Sequence, residues 1–193
     1  MPNKSNVVAG SPRTGGAIFR APLGTPAPTD AKTPLDAAFV EMGYASSDGW
    51  SRQINKAYQT ITGWGGDELQ KIRSEHSVAF STTLVEALNP NTQKAKWGEA
   101  AVTQTAANSE HGNLITISYS GADTDAAMWV FDMADGGRLR RTVFFNAIDT
   151  TDSFEQTYSD QDVIQFPFNF SAYRDDVTGL FFIDYTDDGK VSA

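Results

Sequence analysis

The chain has 193 residues, of which 40% are hydrophobic and 20% charged, and this length suits one domain with a substantial core. It contains no cysteine, which excludes disulfides, thiolate zinc sites and thiol catalysis, and it has no apolar run of the roughly 18 residues that a membrane-spanning helix needs. The net charge of −9 is concentrated in residues 101–193, which carry 5 Lys or Arg and 15 Asp or Glu, so tight binding of nucleic acid is disfavoured and ordinary solubility is the alternative reason for the charge.

The N-terminal segment is rich in proline. Six of the eight prolines lie in the first 34 residues: Pro2, Pro12, Pro22, Pro26, Pro28 and Pro34. Because proline fixes φ and lacks a backbone donor, residues 1–36 are predicted to form an extended arm with neither a helix nor a central strand. Ile18, Phe19 and Leu23 are apolar and are expected to anchor this arm on a partner. Deletion of residues 1–34 is therefore expected to leave a folded domain.

Residues 37–193 are predicted to form a single β domain that begins with a long hairpin. Polar and apolar residues alternate over 53–62 and again over 77–84, as in strands that are polar on one side. A glycine-rich turn at 63–67 separates the two segments, and Asp48-Gly49 marks an earlier turn.

One short helix is predicted over residues 90–97. Asn89 suits the N-cap position, and Pro90 suits the first helical position. Gly98 suits the position after the helix end. The segment is long enough for about two helical turns.

The second half of the chain is β-like almost throughout. The strand-like segments are 114–119, 128–133, 142–148, 163–173 and 180–185. The clearest alternation places Ile164, Phe166, Phe168 and Phe170 on one side and Gln165, Asn169 and Ser171 on the other. Pro167 within this segment indicates an edge or a bulge. The sequence therefore predicts a mainly β fold, a β-sandwich or partial barrel with one short helix.

The residues that could carry chemistry form no catalytic or cofactor-binding pattern. His76 and His111 lie in polar surroundings, and no nucleophile elbow, phosphate loop or zinc-protease motif is present. Acidic pairs such as Asp187-Asp188 could offer oxygen ligands to Ca²⁺, but Asp and Gly are also the usual residues of turns. The four tryptophans, Trp50, Trp64, Trp97 and Trp129, fit a core or an interface better than a sugar platform. We therefore expect no enzymatic activity, no cofactor and no metal site.

Several segments carry a resemblance to a known family. They are Gly15–Thr25, Pro28–Ala31, Phe39–Tyr44, Ser47–Gly49, Ile61–Gly66 and Phe80–Glu86. In this order they resemble the first half of the major tail proteins, the tail-tube subunits, of long-tailed siphophages, especially those that infect actinobacteria. The segments cover most of residues 10–90.

This resemblance implies a structural protein of the virion. Members of the family form hexameric rings that stack into a hollow tube, through which double-stranded DNA passes without sequence-specific binding. The partners implied are other copies of the chain, the tape measure protein and the tail tip and terminator proteins, with assembly in the host cytoplasm. The N-terminal arm, through Ile18, Phe19 and Leu23, and the long early hairpin would reach neighbouring subunits. Since the chain ends after its last predicted strand, a C-terminal immunoglobulin-like domain is expected to be absent.

A DNA conduit would benefit from an acidic channel, because like charge repels phosphates. Gln165, Asn169 and Ser171, together with Asp184, are the predicted channel-facing residues. Three alternatives remain open from the sequence. They are a tail terminator or connector that forms a single ring, a carbohydrate-binding β-sandwich, and a hydrolase of unknown type.

Overall fold

The structure is a computed structural model that describes Pro2 and residues 4–190. Within these residues there are ten strands, one α-helix and two 3-10 turns. The strands are β1 (Ile18–Pro22), β2 (Val40–Glu41), β3 (Ala45–Thr62), β4 (Glu68–Leu84), β5 (Val102–Thr105), β6 (Leu114–Ile117), β7 (Ala127–Asp135), β8 (Arg138–Asp149), β9 (Phe166–Ala172) and β10 (Phe182–Asp187). The helix is α1 (Pro90–Trp97), and the turns are Lys4–Asn6 and Glu99–Ala101. The predicted mainly β fold with one short helix is confirmed.

Eight of the strands form one antiparallel sheet, in the order β2-β1-β7-β8-β9-β4-β3 with β10 as a branch on β8. Strand β8 carries two neighbours along one edge: residues 139–144 pair with β10, and residues 147–149 pair with β9. Strands β5 and β6 form a separate two-stranded sheet. Neither sheet closes into a barrel.

The large sheet folds over on itself. In a flat sheet, Phe80 on β4 and Phe144 on β8 would be about 10 Å apart, because neighbouring strands are separated by about 4.8 Å. Their rings instead stack with centroids 4.0 Å apart. Trp50 on β3 and Phe131 on β7, four strands apart in the sheet, stack at 4.6 Å. The two halves of the sheet therefore enclose an aromatic core as the layers of a sandwich.

A second apolar cluster lies on the opposite face of β7 and β8. Its buried members are Met128, Val130, Val143 and Phe145. Residues of the N-terminal half and of β10 pack against them: Phe19, Ala27, Leu35, Phe39, Ile183 and Tyr185. The segment before β2 thus covers part of the outer face of the sheet.

The expectation that residues 1–36 hold no central strand is wrong. Strand β1 lies in this segment and pairs with β2 on one side and with β7 on the other. Ile18 is buried, with 4% of its surface exposed. The residues between Pro12 and Pro22 are free of proline, and Pro22 is the last residue of the strand, so the ladder keeps its donors over the positions that pair. The division into an arm and a domain at residue 36 stays a prediction.

Two local predictions agree closely with the structure. Helix α1 occupies residues 90–97, and the Asn89 side chain accepts a hydrogen bond of 2.9 Å from the backbone N–H of Asn91. In β9 the phenylalanines are buried in alternation with exposed or half-buried residues. Pro167 pairs with Thr83 of β4, while β8 accompanies β9 only from residue 170 onward. Pro167 therefore lies at a local edge, as its missing donor requires.

Candidate assembly surfaces

The β3–β4 hairpin extends far beyond the sandwich. Strand β9 accompanies β4 only over residues 78–84, and β3 pairs with β4 alone. From residue 55 to the turn at 63–67 the hairpin is a two-stranded ribbon, about 30 Å long at roughly 3.3 Å per residue. This ribbon corresponds to the long early hairpin predicted from the sequence.

The ribbon exposes apolar side chains that none of the described residues covers. Trp64 at its tip is fully exposed, and Tyr58 and Leu69 are more than half exposed. Ile61 and Ile72 are more than 40% exposed. An isolated two-stranded hairpin is at best marginally stable in water, and clustered exposed apolar residues mark interaction surfaces. The ribbon therefore has the properties of a segment that is completed by a partner.

A second surface is the face of β3, β4 and β9 that points away from the core. Ser51, Ser81 and Asn169 lie side by side across the three strands. The hydroxyls of Ser51 and Ser81 are 2.9 Å apart, and the Ser171 hydroxyl is 3.0 Å from that of Thr150. Short uncharged side chains dominate this face, which we call the polar face. The other members that share it by register are Gln53, Asn55, Ser77, Ala79, Thr83, Ile148 and Pro167.

The four predicted channel residues do not lie together. Asn169 and Ser171 are on the polar face, and Gln165 is an exposed residue just before β9. Asp184 of β10 pairs with Thr142, which is opposite Phe131, and this register places Asp184 on the core side of the sheet. Asn169 and Ser171 therefore lie on one face of the sheet, and Asp184 lies on the other.

Asp184 is the centre of an ion-pair network. It accepts hydrogen bonds from both terminal nitrogens of Arg52, at 3.2 and 3.0 Å, and from the Thr142 hydroxyl at 2.6 Å. Arg140 is also within 3.2 Å. Burial by itself would raise the pKa of Asp184, but the hydrogen bonds and the two guanidinium charges together lower it below the ordinary value. Because cations compensate its charge, Asp184 is a poor source of repulsion for DNA.

A buried ion pair holds the N-terminal segment on the sheet. Arg141 donates to both carboxylate oxygens of Asp132, at 2.6 and 2.7 Å, and both side chains are at least 95% buried. The third guanidinium nitrogen donates to the backbone carbonyls of Asp30 and Thr33, at 2.9 and 2.7 Å. Sequence reasoning missed this clamp, because an arginine in a strand gives no sign that it binds backbone carbonyls more than one hundred residues away.

The three predicted anchors of the arm differ in how much of their surface is exposed for contact with a neighbouring subunit. Ile18 is buried in the main core, and Phe19 packs on the outer cluster of the same chain. Leu23, just after β1, keeps 47% of its surface exposed. An inter-subunit role stays a prediction for all three residues, and Leu23 is the one whose surface is free for it.

Most of the histidines and tryptophans considered for chemistry pack against other side chains of the subunit. His76 meets the Phe181 ring edge-on at 5.0 Å, and Trp50 and Trp129 belong to the aromatic core. Trp97 packs against Tyr119. In the described part of the chain, no three His, Asp or Glu residues are grouped to hold a metal ion. Nor do the described helices include one with the length and apolar content needed to cross a bilayer.

Comparison with known protein families identifies the chain. A family model described as phage tail tube protein matches residues 1–187, which include every strand from β1 to β10. The chain belongs to this family. A search among curated proteins finds no match. The family assigns the protein to the phage tail, and therefore to the virion, as a structural component of a tube built with other tail components. The resemblance read from the sequence is confirmed at the level of a tail tube protein.

Proposed function

We propose that this tail tube protein is the repeating subunit of a siphophage tail tube, in which six copies form a ring and stacked rings form the conduit for genome ejection. Rings would assemble in the host cytoplasm around the tape measure protein, between the tail tip and the terminator. Double-stranded DNA would later pass through without sequence-specific binding. Family membership supports the tube, and the surfaces described above support the finer arrangement.

The observation that carries the proposal is the uncovered ribbon of β3 and β4. Its apolar residues, Tyr58, Ile61, Trp64, Leu69 and Ile72, gain a hydrophobic contribution only when another molecule covers them. A homopolymer supplies such a surface to every subunit at the same stoichiometry. Strand β3 is also a free edge of the sheet, and pairing or covering this edge on assembly would protect it from uncontrolled association.

We assign the channel lining to the polar face. Its hydroxyl, amide and methyl groups offer no cation to hold a phosphate, so DNA would pass without electrostatic trapping. This arrangement replaces an acidic channel with a neutral one and includes Asn169 and Ser171 of the predicted set. Asp184 falls outside it, because it lies on the core side of the sheet.

Electron microscopy of the purified protein tests the ring and the tube. Tubes of uniform bore with sixfold symmetry are expected. A matched variant replaces residues 57–75 with Asn-Gly, which turns the ribbon into a short hairpin and leaves the paired body intact. We expect this short-hairpin variant to fold as a monomer and to form no tubes. Normal tubes from it would contradict the proposal, and single rings from the wild type would indicate a terminator or connector instead.

Thiol labelling tests the polar face as the channel lining, because the chain has no cysteine of its own. In the Asn169→Cys variant, a polyethylene glycol maleimide of several kilodaltons should react with free subunits and be excluded from assembled tubes. A small maleimide should label both forms, which controls for the reactivity of the thiol. Equal labelling of tubes and subunits by the large reagent would place Asn169 outside the channel.

A further inference from the structure

Two cations on one face of the hairpin ribbon lack an ionic partner within the part of the chain that the structure describes. Lys56 and Arg73 form no ion pair with any described residue, whereas most other Lys and Arg side chains of the described chain do. Cross-strand partners share a face, so the pairings Lys56 with His76 and Tyr58 with Arg73 bring these side chains to the same side. Lys71, opposite Thr60, lies on this side too, and its only described ionic partner is Glu68. We call this side the basic face.

The opposite side of the ribbon has a different character. It presents Ala57 opposite Glu75 and Gln59 opposite Ile72. Because side chains alternate between faces, the carboxylate of Glu75 is on the other side from Lys56 and Arg73. The ribbon therefore presents unpaired positive charge in one direction only.

Residues 151–163 form one segment of the same sequence in which complementary charge is concentrated. Residues 151–163 contain Asp152, Glu155, Asp160 and Asp162, all exposed and without an ion pair among the described residues. Between Arg141 and Arg174 the sequence has no lysine or arginine. Tyr158 and Val163 in this acidic segment are 71% and 57% exposed, so it also offers apolar contact area.

The acidic segment is fastened to the body at its N-terminal side. The Phe154 ring lies against Trp97 at 5.7 Å, and the Lys96 ammonium is 4.1 Å from the Phe154 centroid. Lys96 is buried and donates to Asp149 at 3.0 Å and to the Pro167 carbonyl at 2.7 Å. The contacts of Phe154 therefore attach the start of the acidic segment to the body of the subunit, and the acidic residues that follow begin from this attachment.

We propose that the basic face of the hairpin docks on the acidic segment 151–163 of a second copy of the chain. The inference rests on the proposed self-assembly and names the contact that drives it. Charge complementarity supports this pairing of surfaces. In a homopolymer every subunit supplies one basic face and one acidic segment, so each set of unpaired cations has one set of unpaired carboxylates to bind. Exposed Ile54 and Tyr58 beside the cations match Tyr158 and Val163 beside the acids.

Charge reversal tests the contact. The Lys56→Glu, Arg73→Glu variant is expected to raise the protein concentration needed for half-maximal tube formation at least tenfold. The Asp160→Lys, Asp162→Lys variant should do the same. Combining all four substitutions should recover most of the assembly, because the pairing is restored with exchanged signs. Glu75→Lys, on the opposite side of the ribbon, is the matched control and should change the concentration less than threefold. Circular dichroism and thermal unfolding of each variant verify the fold.

The outcomes separate this inference from the proposed function. If the wild type forms no tube or ring, both fall. If the wild type assembles and the hairpin reversal assembles equally well, the docking inference alone is overturned. If both reversals fail and the fourfold variant also fails, the two surfaces contact something other than each other, and the inference is again overturned. Recovery by the fourfold variant, or co-assembly of the two double variants when mixed, supports it.

Discussion

The clamp between Arg141 and Asp132 should decide whether the N-terminal segment stays on the sheet. We consider the Arg141→Ala substitution in the short-hairpin variant, which is expected to remain monomeric. The substitution removes two hydrogen bonds to Asp132 and two to the backbone of residues 30–33. It leaves the Asp132 carboxylate buried, with Arg13 at 3.3 Å as its remaining cation.

The size of the effect follows from the burial of the pair. Breaking a buried ion pair by removing one partner costs about 3–5 kcal/mol. We expect about 3 kcal/mol for Arg141→Ala, because Arg13 still compensates part of the charge. Domains of this kind have total stabilities of roughly 5–15 kcal/mol, so the loss is a large share of the total. With a urea m value of about 2 kcal/mol per molar, the unfolding midpoint should fall by about 1.5 M.

Arg140→Ala is the matched control, because Arg140 is the neighbouring residue in β8 and pairs with Asp184 in a more exposed position. A surface pair contributes about 0–1 kcal/mol, so the urea midpoint should change by no more than about 0.5 M. Replacing both members of the clamp, Arg141→Met with Asp132→Leu, should recover at least half of the loss, because no unpaired charge remains. Trypsin cleavage after Lys32 should rise in Arg141→Ala alone. Equal midpoints for Arg141→Ala and Arg140→Ala would refute the reasoning.

Three further predictions concern the sandwich. Phe80→Ala removes a ring that stacks on Phe144 at 4.0 Å and on Phe170 at 4.6 Å, and it should lower the free energy of unfolding by about 3–5 kcal/mol in urea titrations; a loss below 1 kcal/mol would contradict the closed core. The sequence alone predicted that deletion of residues 1–34 leaves a folded domain, but the pairing of β1 with β7 reverses this expectation. The deletion should abolish cooperative unfolding in calorimetry, and a retained sharp transition would show that the segment is dispensable. The pKa of Asp184 is lowered in the folded state, so the stability that its ionised form contributes is complete above the unfolded pKa, near 4, and is lost as the pH falls through the folded pKa. Asp184→Asn should therefore flatten the loss of stability below about pH 4. An unchanged dependence of unfolding free energy on pH would contradict this.

Local sequence signals predicted the elements that local physics determines. Helix α1 follows from Asn89, Pro90 and Gly98, and the buried side of β9 follows from its period of two. Strand β1 was not predicted because the high proline content of the segment argues against strands, although residues 13–21 contain no proline. Its pairing with β7 joins residues more than one hundred positions apart, and no local pattern carries that information.

The assembly surfaces were predictable only in part. The alternation of 53–62 indicated a hairpin, but it could not indicate that the hairpin continues past the last neighbouring strand. The sequence prediction grouped Asp184 of the closing strand with Asn169 in one channel-facing set. Periodicity distinguishes the two sides of one strand, but it does not show which sides of two different strands share a face of the sheet. The register of β10 against β8 separates Asp184 from Asn169.

The acidic balance of the second half of the chain acquires a different meaning once the ion pairs are known. Asp132, Asp149 and Asp184 are compensated by arginine or lysine inside the subunit. Four of the remaining carboxylates lie in the exposed segment 151–163, and the polar face of β3, β4 and β9 carries no charge. In the proposed arrangement, the carboxylates of this segment act in the contact between subunits, and DNA meets a neutral surface. Raising the salt concentration should then weaken tube assembly, because exposed charge pairs are screened. Tubes whose assembly is independent of salt between 50 and 500 mM would place the acidic segment outside the subunit interface.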